Sequence, residues 1–336
     1  MMSATVRQPA IASGVFEEPI WRVQLQCPRC GGHFDRISQP TSAGECWGRC
    51  SSCFFLLETE NGIWRTLAPD RESCFHRFIQ EYQIVRAAEG RGSQSSEYYL
   101  ALPYRDISGR NELQWAIRSR TFQYIEDKLL PTVESRHPLG LNVLDLGSGN
   151  GWLSYRLALR GYRPVAVDLL TNDQDGLAAA EHFRRRLPEL FPRFQAELDR
   201  LPFADWQFDL AIFNASLHYS ENYELSLREA IRCLRCRGTV IVADSPWYSR
   251  EESGKQMLAE RRQAFVSQYG FPSDGMKSLE YLTNERLLTL EKRLGLRWHI
   301  HSPFYGLRWA MRPLMAKLRG KREPSKFRIY VAEITK

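Results

Sequence analysis

Short apolar runs alternate with amphipathic stretches from residue 140 to the end of the chain. The runs that read as strands are, in order, LNVLDLG, RPVAVDLL, FQAEL, FDLAIFN, GTVIVADSP, GLRWHIH and FRIYVAEI. Most of them are separated by stretches with helical periodicity, such as residues 222–236. Alternating strands and helices are typical of a parallel sheet that is covered by helices. We therefore expect an α/β fold with a doubly wound, mostly parallel, seven-stranded sheet.

The first 138 residues show a different pattern. Helical periodicity is confined to residues 72–88 and 111–130, whereas the segment before them combines cysteine pairs with short strand-like pieces. This change predicts four parts: a flexible tail (1–20), a small cysteine-rich domain (21–68), a helical linker and substrate lid (69–138), and the main α/β domain (139–336).

The composition is that of a water-soluble protein, with 43% hydrophobic and 25% charged residues among 336. No run of about 18 apolar residues is present, so the sequence predicts no transmembrane helix. The first residues lack the continuous apolar core of a secretory signal. On these grounds we expect a cytoplasmic protein.

The net charge of +7 is concentrated at the C-terminus. Residues 295–336 carry ten Lys/Arg and two Asp/Glu, so the remainder of the chain sums to about −1. A basic segment of this kind can meet phosphate, nucleic acid or an anionic membrane, or can simply be a solvated loop. Both interpretations remain open at this stage.

A glycine-rich turn follows the first strand of the α/β region. Asp145, Gly147, Gly149 and Gly151 form the pattern D-x-G-x-G-x-G between a predicted strand and a predicted helix. Glycines permit close approach of the backbone to a ligand, and the helix N-terminus adds a positive pole. A dinucleotide fingerprint needs glycine or alanine where this chain has Trp152, so a pyrophosphate turn is disfavoured.

This pattern resembles motif I of the class I S-adenosylmethionine-dependent methyltransferases, in the branch that resembles the ubiquinone and menaquinone methyltransferases. The stretch AELDRLPFADWQFDLAIFN and the later CLRCRGTVIVADSP resemble further motifs of that branch, although Cys236 replaces the usual proline. The resemblance implies a Rossmann-like fold and S-adenosylmethionine as cofactor, bound by the glycine turn. It places Asp168 on the ribose hydroxyls, Glu197 on the adenine amino group and the backbone of Leu198 beside the adenine.

Three residues at the ends of predicted strands are candidates for catalysis, because open α/β sheets bind ligands at that edge. Asn214 follows the fourth strand and is expected to border the methyl group. His218 is a candidate general base near neutral pH, and Asp244 is expected to orient the acceptor or to accept a proton. The alternatives are a hydrogen-bonded structural histidine and a carboxylate that caps a turn.

Aromatic and basic residues in three segments outside the motifs are expected to form the acceptor wall. Apolar walls with a few charges suit an apolar or aromatic acceptor that bears an anionic group. The same residues can instead stack on bases or pack a lid. These residues are Tyr98, Tyr99, Trp247, Tyr248, Arg250, Phe304, Tyr305, Arg308, Trp309 and Arg312.

Two C-x-x-C pairs, Cys27/Cys30 and Cys50/Cys53, have the spacing of a structural zinc site. Cys46 is a spare candidate, His33 a weaker one, and disulfides are disfavoured in the cytosol. The surrounding sequence resembles the zinc ribbons of small activator proteins that partner methyltransferases of tRNA and translation factors. Residues 1–66 contain six basic and six acidic residues, so we expect a stabilising or docking module rather than a phosphate-binding one.

Three functions follow from these features. We expect methyl transfer to a small or lipid-like, apolar or aromatic acceptor. The first alternative is an RNA or translation-factor methyltransferase that uses the basic C-terminal segment, and the second is a non-catalytic scaffold. The sequence names neither the acceptor atom nor the oligomeric state.

Overall fold

The computed structural model describes residues 23–41 and 44–335. The tail predicted for residues 1–20 lies outside them. Eleven strands are present in the described residues: β1 (Phe34–Thr41), β2 (Gly44–Cys50), β3 (Leu56–Glu60), β4 (Ile63–Arg65), β5 (Asn142–Leu146), β6 (Arg163–Asp168), β7 (Arg193–Gln195), β8 (Phe208–Asn214), β9 (Leu234–Ala243), β10 (His299–His301) and β11 (Ile329–Glu333).

Helices occupy the linker and the connections between the strands. The α-helices are α1 (Pro69–Ala88), α2 (Ser96–Ala101), α3 (Glu112–Tyr124), α4 (Leu130–Glu134), α5 (Trp152–Leu159), α6 (Tyr223–Cys233), α7 (Glu251–Tyr269), α8 (Asn284–Leu294), α9 (Leu307–Ala310) and α10 (Arg312–Leu318). A π-helical turn (Ile125–Leu129) joins α3 to α4, and 3₁₀ helices cover Leu177–Arg185 and Leu217–Tyr219.

The seven strands predicted from residue 140 onward are all present, as β5 to β11. They lie in the order β7-β6-β5-β8-β9-β11-β10, in which β11 runs antiparallel to both of its neighbours. The order reverses between β5 and β8, on either side of the strand that leads into the glycine turn. Ligands of open α/β sheets bind at such a switch point.

The expectation of a seven-stranded sheet needs correction. β4 pairs in parallel with β7, through Trp64 opposite Phe194, so the four cysteine-region strands extend the same sheet to eleven. The rings of these two residues stack at 5.9 Å, and the Thr66 hydroxyl donates a hydrogen bond to the Gln195 carbonyl at 2.8 Å. The two regions therefore share one sheet.

Successive residues of the central strands pack into two different apolar clusters. In β5, Leu144 and Leu146 belong to a cluster that includes α6 and α8, whereas Val143 belongs to one that includes α3 and α5. Side chains alternate between the faces of a strand, so this division shows that both faces of the sheet are covered. The doubly wound arrangement predicted from the sequence is confirmed for this part of the sheet.

Candidate active site and metal site

The glycine turn bends the chain sharply between β5 and α5. Gly147 and Gly151 have φ values of 73° and 78°, which are strained for residues with a side chain. A Cβ atom on Gly147 would lie 2.3 Å from the Cβ of Ser216, so only glycine fits there. Gly147 and Gly149 line a cavity at the carboxyl edge of the sheet, whereas Gly151 begins α5 and faces Phe191.

Asp145 is the buried acid of the turn. Its carboxylate accepts hydrogen bonds from the backbone N–H of Ser154, at 3.1 Å, and from the Ser154 hydroxyl, at 2.7 Å. Burial nevertheless raises the pKa of Asp145 to about 7, because these two bonds compensate only in part for lost hydration. The residue lines the cavity and also ties α5 to the end of β5.

Asp168 ends β6 and lines the same cavity. Its two oxygens accept hydrogen bonds from the N–H groups of Gly149, at 2.7 Å, and Leu170, at 2.8 Å. Burial raises its pKa to about 6. The carboxylate therefore holds the glycine turn in place, in addition to the ribose contact that the resemblance implies.

Glu197 and Leu198 follow β7 and line the cavity. The Glu197 carboxylate is already paired with Arg71 of α1, whose Nε and Nη2 atoms lie 3.0 Å and 2.8 Å from Oε2. The pair is a short link between α1 and the edge of the cavity where the resemblance places the adenine.

One face of α1 forms a wall of the cavity. Phe75, Phe78, Tyr82 and Arg86 line it, at helical spacings of three, four and four residues. Periodicity predicts a helix over residues 72–88, but none of its residues was among the predicted site residues. The apolar and aromatic stripe at these four positions is the feature that could have revealed the wall.

The aromatic side chains of this wall pack on the segment after β8. Tyr219 meets Tyr82 edge-on, with ring centroids 5.6 Å apart, and lies 6.2 Å from Phe78. Arg86 lies over the ring of Tyr82 and donates a hydrogen bond to Asp175 at 2.6 Å. The cavity is thus closed on this side by aromatic rings and a paired arginine.

Arg118 of α3 is the unpaired cation of the cavity wall. Its guanidinium lies 4.9 Å from the ring of Trp115, and within the described residues it forms no ion pair or side-chain hydrogen bond. Burial lowers its pKa, and the charges of Arg91 and Arg86 lower it further. Arg118 is half-buried and faces the cavity without an acidic partner, so the geometry favours an anionic ligand at this point.

The predicted catalytic residues separate in the structure. Asn214, at the end of β8, lines the cavity, but the side chains of His218 and Asp244 are not part of its wall. Nδ1 of His218 lies 3.3 Å from the Ser245 hydroxyl, and burial lowers the pKa of His218 to about 4. The imidazole is therefore neutral and weakly basic at neutral pH.

Asp244 lies behind the cavity, beside α3. Its Oδ1 accepts a hydrogen bond from the Thr121 hydroxyl at 2.6 Å, whereas its buried Oδ2 has no partner among the described residues. Burial raises its pKa to about 6. Thr121 also contacts the Tyr305 hydroxyl at 2.9 Å, so Asp244 belongs to a buried polar cluster next to the site.

The prediction of the residues that form the acceptor wall is wrong for this cavity. None of the aromatic residues or arginines assigned to it from residues 98–105, 246–250 or 303–325 is among the cavity-lining side chains of the described chain. Tyr99, for example, is buried, stacks on His182 at 4.4 Å and donates a hydrogen bond to the Gln174 carbonyl at 2.7 Å. α1 and α3 take the place of these segments because they pack across the switch point.

The four predicted metal ligands lie together. The sulfur atoms of Cys27, Cys30, Cys50 and Cys53 all lie within 4.8 Å of one another. The separations of 3.6 Å (Cys27 to Cys53) and 3.4 Å (Cys30 to Cys50) suit sulfurs at about 2.3 Å from a tetrahedral zinc ion. Cys46 and His33 are not members of this cluster.

Comparison with known proteins agrees with this geometry. A family model described as a methyltransferase domain matches residues 144–242, which span β5 to β9 almost completely. These residues form a methyltransferase domain. The cavity described above lies in this domain, under a cover that α1 and α3 supply from outside it.

The relatives found in the comparison share only part of the chain. A malonyl-[acyl-carrier protein] O-methyltransferase from Halorhodospira halophila is 36% identical over 124 residues, which are 35% of this chain and 40% of the relative. Another from Erwinia pyrifoliae is 32% identical over 163 residues, which are 47% of this chain and 50% of the relative. The chain thus spans half or less of the length of these relatives.

A solved methyltransferase from Thermotoga maritima, described as a possible histamine N-methyltransferase, aligns with 78% of this chain and 99% of its own. The identity is 16% and the TM-score 0.41. The assignment of the domain accordingly depends on the family match and on the strand order.

Proposed function

We propose that this protein transfers a methyl group from S-adenosylmethionine to a small or lipid-like acceptor. The observation that carries the proposal is the cavity at the switch point, where the glycine turn, Asp168 and Glu197 meet the aromatic face of α1. A cavity with aromatic side chains along one wall suits a small or lipid-like acceptor better than it suits a folded RNA.

The polar groups of the cavity match the nucleoside end of the cofactor. Asp168 and Glu197 supply carboxylates for the ribose and the adenine, and the turn at Gly147 and Gly149 lets backbone atoms come close. The buried Ser148 hydroxyl, which has no hydrogen-bond partner among the described residues, offers a further polar contact. When bound, S-adenosylmethionine supplies an activated methyl group, and the protein's part is to orient the acceptor and exclude water.

Arg118 supports an acceptor that carries a carboxylate. The names of the matched relatives describe O-methylation of a malonyl group on an acyl-carrier protein, and we extend to this chain only the carboxylate chemistry. A carboxylate oxygen attacks the methyl carbon as the carbon–sulfur bond breaks, and no proton moves. Such a reaction needs no general base, which agrees with the position of His218 outside the cavity wall.

The acceptor class is tested with S-adenosylmethionine labelled in the methyl group. The full-length protein is incubated with a cell extract, and the label is separated into lipid, small-molecule, protein and RNA fractions. We expect label in the lipid or small-molecule fraction, in a bond that mild base hydrolyses as it does an ester. Label in RNA or protein would contradict the proposal, and no transfer together with no cofactor binding would indicate a non-catalytic scaffold.

The role of Arg118 is tested with Arg118→Met, with Arg120→Met as the control because Arg120 is exposed two residues further along α3. The anion at Arg118 can belong to the acceptor or to the cofactor. S-adenosylhomocysteine carries a carboxylate that methylthioadenosine lacks, so calorimetry with both compounds shows whether Arg118 binds the carboxylate of the cofactor. If only acceptor transfer falls, by tenfold or more, Arg118 holds the acceptor. If only the affinity for S-adenosylhomocysteine falls, it holds the cofactor, and no change in either measurement would contradict an anion site.

We also propose that the cysteine cluster holds a structural zinc ion. All four thiolates are protein ligands, so the site is closed and offers no position for catalysis. Its place at the end of the extended sheet supports a role in stabilising β1 to β4.

A further inference from the structure

Helices α9 and α10 form one nearly continuous rod at the basic C-terminal segment. The N–H of Met311 donates a hydrogen bond to the Leu307 carbonyl, and the N–H of Met315 donates one to the Met311 carbonyl, both at 3.0 Å. Pro313 lies in the first turn of α10, where it costs no hydrogen bond within that helix. Residues 307–318 can therefore be treated as a single three-turn helix.

One face of this helix is anchored to the protein. Trp309 stacks on Phe327, with ring centroids 5.5 Å apart, and contacts Tyr305 at 5.6 Å. The guanidinium of Arg312 lies 3.3 Å from the Trp309 ring centroid and donates a hydrogen bond to the Ser325 carbonyl. Trp309 thus packs against the protein, and its contacts fix the orientation of the helix.

The opposite face is apolar and directed to solvent. Its members recur at intervals of four, three, one and three residues, which places them within an arc of about 100° on a helix. An apolar stripe of this kind is normally buried. The side chains, with their exposed fractions, are Leu307 (75%), Met311 (51%), Leu314 (54%), Met315 (38%) and Leu318 (73%).

Cations border the stripe and no acid interrupts it. Residues 303–322 contain six Lys/Arg and no Asp/Glu. Helical geometry places Arg308 and Arg319 on one side of the stripe and Lys317 on the other, and Lys321 follows. Within the described part of the chain, none of these four exposed cations forms an ion pair.

We propose that this helix docks the protein on an anionic phospholipid surface. The helix would lie in the plane of the interface, with its leucines and methionines between the acyl chains and its cations at the phosphate groups. No helix among the described residues is long and apolar enough to cross a membrane. An RNA surface fits less well, because base stacking needs exposed aromatic rings and the one aromatic residue of the helix, Trp309, is half-buried against Phe327 and Arg312.

The docking helix is connected to the region of the cavity. Tyr305, just before the helix, contacts Thr121, which lies one turn along α3 from Arg118. A protein held in this way would have its cavity region near the lipid. The docking proposal does not depend on the proposed acceptor, because vesicle binding is measured without turnover.

The test is sedimentation of the full-length protein with vesicles of phosphatidylcholine alone or with about one third phosphatidylglycerol. We expect binding to the anionic vesicles only, and weaker binding as salt rises. The double variant Leu314→Glu/Leu318→Glu should bind at least tenfold more weakly, because each substitution removes an apolar contact and adds repulsion. Leu288→Glu, an equally exposed position on α8, is the matched control.

Circular dichroism and thermal unfolding check that the variants fold as the unchanged protein does. Failure of the unchanged protein to bind anionic vesicles would overturn the proposal. Equal loss in the double variant and in Leu288→Glu would overturn it too. A helix that binds RNA but not vesicles, and loses RNA on Lys317→Glu/Arg319→Glu, would assign this surface to nucleic acid instead.

Discussion

Individual acids of the site have two tasks, which is clearest for Asp168. Its carboxylate holds the N–H groups of Gly149 and Leu170, so it shapes the glycine turn as well as facing the cavity. Asp145 likewise ties α5 to β5 through Ser154. The effect of a substitution at these positions on protein stability must therefore be measured together with its effect on cofactor binding.

Asp168→Ala is expected to weaken cofactor binding at least tenfold, because the carboxylate of a charge-assisted hydrogen bond is lost and the turn loosens. Calorimetry with S-adenosylhomocysteine measures the affinity, and thermal unfolding measures the stability. Asp173→Ala, outside the cavity wall, is the control. An unchanged affinity would remove the ribose assignment.

Asp145→Asn is expected to flatten the pH dependence of stability. The pKa of Asp145 is about 7 in the folded protein and near 3.8 when exposed, so folding is favoured by protonation, and stability from this group falls as the pH rises through that interval. The loss is on the order of 4 kcal/mol at pH 8. Urea unfolding between pH 4 and 8 measures it, with Asp70→Asn at an exposed site as the control.

His218→Gln is expected to retain turnover within about threefold. The imidazole is neutral at pH 7 and lies outside the cavity wall, so a polar replacement that can still bond to Ser245 should suffice. The methyl-transfer assay in extract measures this. A loss of more than a hundredfold at unchanged thermal stability would support the general-base role predicted from the sequence.

At the scale of elements, α1 is the part of the structure that completes the site. It is attached at its start by Arg71 to Glu197 and near its end by Arg86 to Asp175, and its aromatic face lies between these pairs. The helix itself was predicted from periodicity. Its position over the cavity was not, because a helix from the linker could pack on either face of the sheet.

Tyr82→Ala is expected to lower methyl transfer at least tenfold, because it opens the cavity to water and removes the contact with Tyr219. The matched control is Gln83→Ala, next along the helix and exposed. The extract assay and thermal unfolding are measured together. Equal effects of the two variants would show that α1 does not close the site.

At the scale of the whole molecule, the cysteine-rich strands and the methyltransferase domain share a sheet and an apolar cluster. Leu57 and Phe55 of the first region belong to the same cluster as Phe194 and Phe203 of the second. Unfolding of the cysteine-rich strands should therefore destabilise the methyltransferase domain as well.

Removal of zinc by a chelator, or Cys27→Ser, is expected to lower the temperature of a single unfolding transition. Structural zinc sites contribute directly to folding free energy, and the shared sheet couples this loss to β7. Calorimetry together with metal analysis measures both. Two separate transitions, of which only one moves, would show independent domains, and absence of zinc from the purified protein would contradict the metal site.

The sequence by itself determined the α/β order of elements, the glycine turn with the acids Asp145 and Asp168, and the cysteine pairs. Each of these is a local pattern, because periodicity and spacing act within a few residues or within one strand–turn–helix unit. The resemblance placed Asp168 and Glu197 at the cofactor, and both line the cavity. The common edge at which parallel strands end placed Asn214 there correctly, but not His218 or Asp244.

Only the tertiary structure decided which residues cover that edge. Arg118 and Tyr82 line the cavity although they lie far along the chain from most of its other lining residues. β4 pairs with β7 across a similar distance, and no local pattern specifies that pairing. The exposure of Leu314 is also decided by the tertiary structure. Periodicity defines an apolar stripe on a helix, but it does not determine whether that stripe faces the core or the solvent. These features depend on contacts between residues that are distant in sequence, and such contacts form only in the complete fold.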